Sequence, residues 1–195
     1  MAAAVVSGLV VVSALGLGSV AVAPQLASAR LAVDGPLTAP PVATTFVPKN
    51  LHPSLRKAAY DIPTLYRDHC ERDYLQDDPK PCRYGTESRS IALFGDSHAA
   101  QWFPGLLDWA RDHHYRLDVY TKSSCPSATV PLLLGTGPFP ACARWRTGVL
   151  RQLQHDPPAV VIIANFDRTP ILGGGHLDRT WTTGLERTVL SLIHI

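Results

Sequence analysis

The sequence predicts an α/β fold, a three-layer sandwich built around a parallel sheet. Three observations lead there. From Ser90 onward, short apolar runs alternate with segments of helical spacing, in the order strand, helix, strand, helix, strand, helix. The strand-like runs are apolar at nearly every position, as strands covered on both faces must be. Hydrophobic residues make up 46% of the 195 residues and charged residues 17%, enough apolar material to fill two such faces.

Each element carries its own signal. Ile91-Ala92-Leu93-Phe94, closed by Gly95-Asp96, reads as the first buried strand. A helix is predicted over 102–114, where Trp102, Phe103, Leu106, Leu107 and Ala110 fall on one side and Pro104 sits in the tolerant first turn. Leu117-Asp118-Val119-Tyr120 is the second strand. A long loop over 122–140 leads to a second helix over 141–155. Ala159-Val160-Val161-Ile162-Ile163-Ala164, β-branched and uninterrupted, is the clearest strand of all. After Gly173-Gly174-Gly175, Asp178 can cap a last helix with Trp181, Leu185, Val189 and Leu192 on one face. Residues 54–89 are irregular, with turn-like Asp77-Asp78-Pro79, and read as a disulfide-pinned cover rather than core.

The N-terminal part is of another kind. No charged residue precedes Arg30. Residues 1–26 are long and apolar enough for a transmembrane helix. A signal peptide cleaved near Ala27-Ser28-Ala29 is the competing reading, but Met1-Ala2-Ala3-Ala4 lacks the positive charge such a peptide opens with. Either one sends the remainder of the chain across a membrane. Residues 27–53, with Pro36, Pro40, Pro41, Pro48 and Pro53, have the composition of an extended linker.

Four cysteines, Cys70, Cys82, Cys125 and Cys142, allow three pairings. The economical one joins Cys70 to Cys82 and Cys125 to Cys142, because each bond then closes a local loop. Four buried thiols are the alternative. Disulfides persist in oxidising compartments, so the paired reading places the domain outside the cytoplasm. The net charge of +2 and the scattered Lys and Arg give no basis for nucleic-acid binding. No His and carboxylate set has metal-ligand spacing, and no cofactor motif is present.

In a parallel sheet, ligands bind at the carboxyl ends of the strands. Gly95-Asp96-Ser97-His98 and the turn at Asn165 both fall there. A serine between a buried strand and a helix is held by rigid elements, and its own N–H lies where helix donors are free. One residue can then supply both a nucleophile and half of an oxyanion hole. Ser97 is the candidate. An ordinary helix N-cap is the plain alternative for Ser97, and capping the helix is the expected part of Asp96. His98 adjoins Ser97, but neighbouring side chains at such a turn diverge. His176, after the three glycines, could swing toward the crevice as a substitute base. His113, His114 and His155 end helices, where cations suit the dipole and solvent.

Ile91 to Trp102, I-A-L-F-G-D-S-H-A-A-Q-W, resembles the first motif block of SGNH (GDSL-like) hydrolases, whose fold is flavodoxin-like. More narrowly, G-D-S-H-A-A-Q-W, Cys125-Pro126 and Cys142-x-x-Trp145 are similar to the SGNH domain fused to acyltransferase-3 membrane proteins, over residues 54–195. The resemblance implies that Ser97 is the nucleophile and an oxyanion donor, and that Asn165 is a second donor. It also implies transfer of an acyl group, acetyl above all, from a donor to hydroxyls of a cell-surface glycan, with an acyltransferase-3 domain as partner in the membrane. A secreted or anchored esterase of the same fold, or a glycan-binding module without catalysis, are the other readings. The family's glycine before the asparagine is absent, and its second-block glycine has no counterpart near 122–127. No terminal Asp-x-x-His is found, so the domain is expected to be incomplete at its C-terminus and inactive alone.

Overall fold

A computed structural model of the chain describes residues 10–13, 52–173 and 177–193. The chain divides into two compact units, residues 1–14 with 63–195, and residues 15–62. In the second unit the described residues form the short helix α1 (Leu55–Ala58). The predicted linker over 27–53 lies almost entirely outside the described residues.

The first unit carries the sheet. Its strands are β1 (Val10–Ser13), β2 (Glu71–Arg72), β3 (Cys82–Tyr84), β4 (Ser90–Gly95), β5 (Arg116–Lys122) and β8 (Val160–Ala164); β6 (Leu133–Leu134) and β7 (Gly137–Pro138) form a separate hairpin. Its helices are α2 (Thr64–Arg67), α3 (Ser97–Ala100), α4 (Phe103–Asp112), α5 (Pro140–His155) and α6 (Leu177–Leu192). The sheet runs β1-β8-β4-β5-β2, with β3 also paired to β5. β8, β4, β5 and β2 are mutually parallel. β1 and β3 are antiparallel, so the sheet is mostly rather than wholly parallel.

Strict alternation along the central strands builds two cores. Ala92, Phe94, Val161 and Ile163 face α5 and α6, where Trp145, Val149, Leu153 and Leu192 are buried. Ile91, Leu93, Leu117, Val119 and Ile162 face α3 and α4, where Ala99, Phe103, Leu107 and Ala110 are buried. This is the three-layer α/β arrangement, with strands buried on both sides as their unbroken apolar runs require.

Two expectations change. Residues 54–89 are more than a cover: Leu65 and Cys70 are buried in the second core, and β2 and β3 extend the sheet at the β5 edge. Such short edge strands leave no periodic trace in sequence. At the N-terminus, Val10–Ser13 runs as a strand antiparallel to β8, not as part of a helix; three successive valines favour an extended chain. The rest of the predicted 1–26 span lies outside the described residues. Among the described residues no helix is long and apolar enough to cross a membrane.

The economical cysteine pairing is the one found: Cys70 joins Cys82, and Cys125 joins Cys142. The second bond closes the base of the 122–140 loop onto α5, across a sequence separation of 17. Replacing Cys125 and Cys142 together by alanine should cost about 3 kcal/mol, the loop-closure entropy of that span, read as a lower urea midpoint.

Candidate active site

The site begins with a close approach. Gly95 closes β4, and a Cβ there would overlap the carbonyl oxygen of Ala164 on β8 and come within 3.0 Å of the Ala99 Cβ. Glycine therefore lets β4, β8 and α3 converge at the carboxyl end of the sheet.

The chain then turns through Asp96, which has no exposed surface. Its Oδ1 accepts from the His98 N–H at 2.8 Å, capping α3, and its Oδ2 accepts from the Phe166 N–H at 2.8 Å. One carboxylate thus ties the β4–α3 turn to the turn after β8. The capping role was legible in sequence. The second bond was not, because its partners lie 70 residues apart. Burial pushes this carboxyl up, and the two backbone donors pull it back toward the charged form. Asp96→Asn should cost about 2–3 kcal/mol, since one amide N–H would then face an NH2 group instead of an oxygen. The loss should appear in chemical denaturation, with the His98 or Phe166 amide exchanging faster.

Ser97 is the first residue of α3 and is half-buried. Its N–H has no intrahelical acceptor at that position. Among the described residues its Oγ makes no hydrogen bond. A hydroxyl and an N–H are thus left open together at the end of a buried strand.

His98 packs toward the turn after β8. Its ring stacks on Phe166, with centroids 5.0 Å apart and planes at 23°. Its Nδ1 lies 3.6 Å from Asp96 Oδ1 and makes no hydrogen bond among the described residues. Phe166 is 41% exposed, so the stack forms an open aromatic wall beside the serine's turn. His113, His114 and His155 are exposed at helix ends. His176 lies outside the described residues.

Asn165 comes directly after β8, and the pairing of Gly95 with Ala164 sets it across from the serine's turn. Its Oδ1 accepts from the Ser127 N–H at 2.7 Å, and its Nδ2 donates to Ser127 Oγ at 2.9 Å. One amide hydrogen is left over. Sequence reasoning passed over Ser127, which sits in an aperiodic loop 38 residues from its partner. Arg146 of α5 holds the same loop: its guanidinium, buried and without an acidic partner among the described residues, donates to the carbonyls of Pro126 at 3.2 Å and Val130 at 2.9 Å. Burial pulls that guanidinium down to about 10.

The family model described as "SGNH domain (fused to AT3 domains)" matches residues 67–194. Among solved structures, the periplasmic domain of lipopolysaccharide acetyltransferase of Salmonella ser. Paratyphi A is similar, with a TM-score of 0.45 and 18% identity. That likeness covers 57% of this chain and 41% of the other. No curated protein matches. The family match takes in the first core, the buried residues of the second apart from Leu65, both disulfides, the Ser97 turn and the Asn165 turn, and the chain belongs to the family of SGNH domains fused to AT3 domains.

Proposed function

We propose that Ser97 is the nucleophile of an acyl-transfer reaction performed outside the cytoplasm. Family membership supports acyl-ester chemistry, by transfer or hydrolysis, as the class of activity. The observation that carries the finer reading is the unbonded, half-buried Ser97 hydroxyl where a fully buried strand turns into a helix. Such a group is fixed in position without being engaged.

In the first step Ser97 Oγ bonds to the acyl carbon, and the bond from that carbon to the donor's leaving group breaks. The serine proton passes through a base to the leaving group. In the second step a hydroxyl of a cell-surface glycan attacks the acyl-serine, the Oγ–acyl bond breaks, and Ser97 regains a proton. The acyl group is most simply acetyl. The Ser97 N–H and the spare amide hydrogen of Asn165 face the developing oxyanion. The same ester is hydrolysed where water takes the place of the glycan.

Two disulfides fit an oxidising compartment. The fused AT3 domains named in the family description support a membrane partner that delivers the acyl group to this side of the bilayer. The test is labelling of the full-length protein with a fluorophosphonate and then peptide mapping. Modification is expected at Ser97. A saturating probe that leaves Ser97 untouched overturns the catalytic reading and leaves a glycan-binding module in its place.

A further inference from the structure

A row of residues crosses the sheet at its carboxyl end. Glu71 on β2 is in register with Thr121 on β5, Thr121 with Gly95 on β4, and Gly95 with Ala164 on β8. The row runs from a carboxyl group at the sheet edge to the residue before Asp96. The proposed reaction makes no use of Glu71, and its sequence context offers no motif.

The surroundings of Glu71 suit an acid better than an anion. Its Oε1 accepts from the Ser123 hydroxyl at a long 3.4 Å. Its Oε2 is buried with no hydrogen-bond partner among the described residues. The Thr121 hydroxyl stands beside it and donates to the Cys70 carbonyl at 3.2 Å, which leaves Glu71 no more than a share of its one proton. Asp96, the residue after Gly95 of that row, is the acidic group that acts on Glu71, and Glu71 in turn acts on Tyr66 of α2. Lys122 of β5 is the nearby cation, but its ammonium is committed to the carbonyls of Asp73 and Gln76. Burial is the largest influence and Asp96 adds to it, the Thr121 and Ser123 hydroxyls and Lys122 oppose it, and the carboxyl is pushed up from 4.5 to about 7. Asp96 has two backbone donors to hold its charge, and Glu71 has none among the described residues, so of the two carboxyls Glu71 takes the proton more readily.

We propose that Glu71 is a positioning residue for the nucleophile: as a neutral acid it lets Asp96 remain the anion that fastens the Ser97 turn to β8. This rests on the reading of Ser97 as the nucleophile. Ionised Glu71 would set a second negative charge in the same buried region, and the grip of Asp96 on the His98 and Phe166 amides would loosen.

Two measurements test this in the full-length protein, one of them without reference to activity. With 13C-labelled glutamate, the Glu71 carboxyl is expected to titrate near pH 7, and the Ser97 and Phe166 amide resonances to shift with the same midpoint. In Glu71→Gln that step should vanish. A Glu71 midpoint below about pH 5, or an unchanged step in Glu71→Gln, overturns the proposal. The second measurement is the rate of fluorophosphonate labelling. Glu71→Gln should match the wild type near pH 6 and exceed it about tenfold near pH 8, where about one wild-type molecule in ten keeps the proton. Equal rates at both pH values overturn the positioning role. A wild type that labels at no pH refutes the role of Ser97 itself, and the carbon titration still decides whether Glu71 and Asp96 are coupled.

Discussion

Ser97→Ala is expected to lower acyl transfer by about 10³-fold or more while shifting the melting temperature by no more than about 2 °C. Both halves have their cause in the same surroundings. The hydroxyl makes no hydrogen bond among the described residues and is half-buried, so its removal leaves no orphaned partner and no sizeable cavity. Capping of α3 belongs to Asp96, which keeps both of its bonds. Alanine also suits the first turn of a helix. The chemical half is absolute in kind: without Oγ there is no atom to carry the acyl group, and the residual rate is that due to binding and the oxyanion donors. The assay is acyl transfer by the full-length protein, with thermal denaturation in parallel. Transfer retained within tenfold would show that the acyl group does not pass through this serine. A large fall in melting temperature would show instead that the hydroxyl is structural.

Sequence legibility divides along physical lines. Strands β4, β5 and β8 and helices α4, α5 and α6 were readable because each is long enough to repeat its apolar period. Their bounds agree with the expected ones to within two residues. The disulfide pairing was readable because short loops favour it. Strands β2 and β3 were not, since two or three residues cannot show a period and their pairing is with β5, far along the chain. The site splits in the same way. The candidacy of Ser97 was readable from a local motif, and that of Asn165 from its place after an obvious strand, but the bonds of Asn165 to Ser127 were not. Glu71 and the second bond of Asp96 depend on which strand end lies beside which. That is a property of register, and a single sequence does not display it. Val10–Ser13 shows the converse error, for an apolar run fits a helix and a strand equally well until a partner is present.

Register also decides the other large effect. Gly95→Ala should destabilise the domain by about 3 kcal/mol or more, and should impair Ser97 labelling in the fraction that folds. The added methyl would meet the Ala164 carbonyl, a backbone atom paired in the middle of a parallel sheet, which has no rotamer to turn away with. Relief requires β4 and β8 to separate at their carboxyl ends. That separation would stretch the 2.8 Å bond from the Phe166 N–H to Asp96, the link that holds the serine's turn to the Asn165 turn. Stability and reactivity should therefore fall together here, whereas Ser97→Ala separates them. Gly105 in α4 supplies the control. A Cβ there meets nothing within 4 Å, so Gly105→Ala should raise stability by up to about 1 kcal/mol through helix propensity and leave labelling unchanged. Urea denaturation of the two variants beside the wild type measures both signs at once. A Gly95→Ala protein as stable as the wild type would mean that the two strands do not approach as closely as described, and the geometry on which the Ser97 turn depends would fall with it.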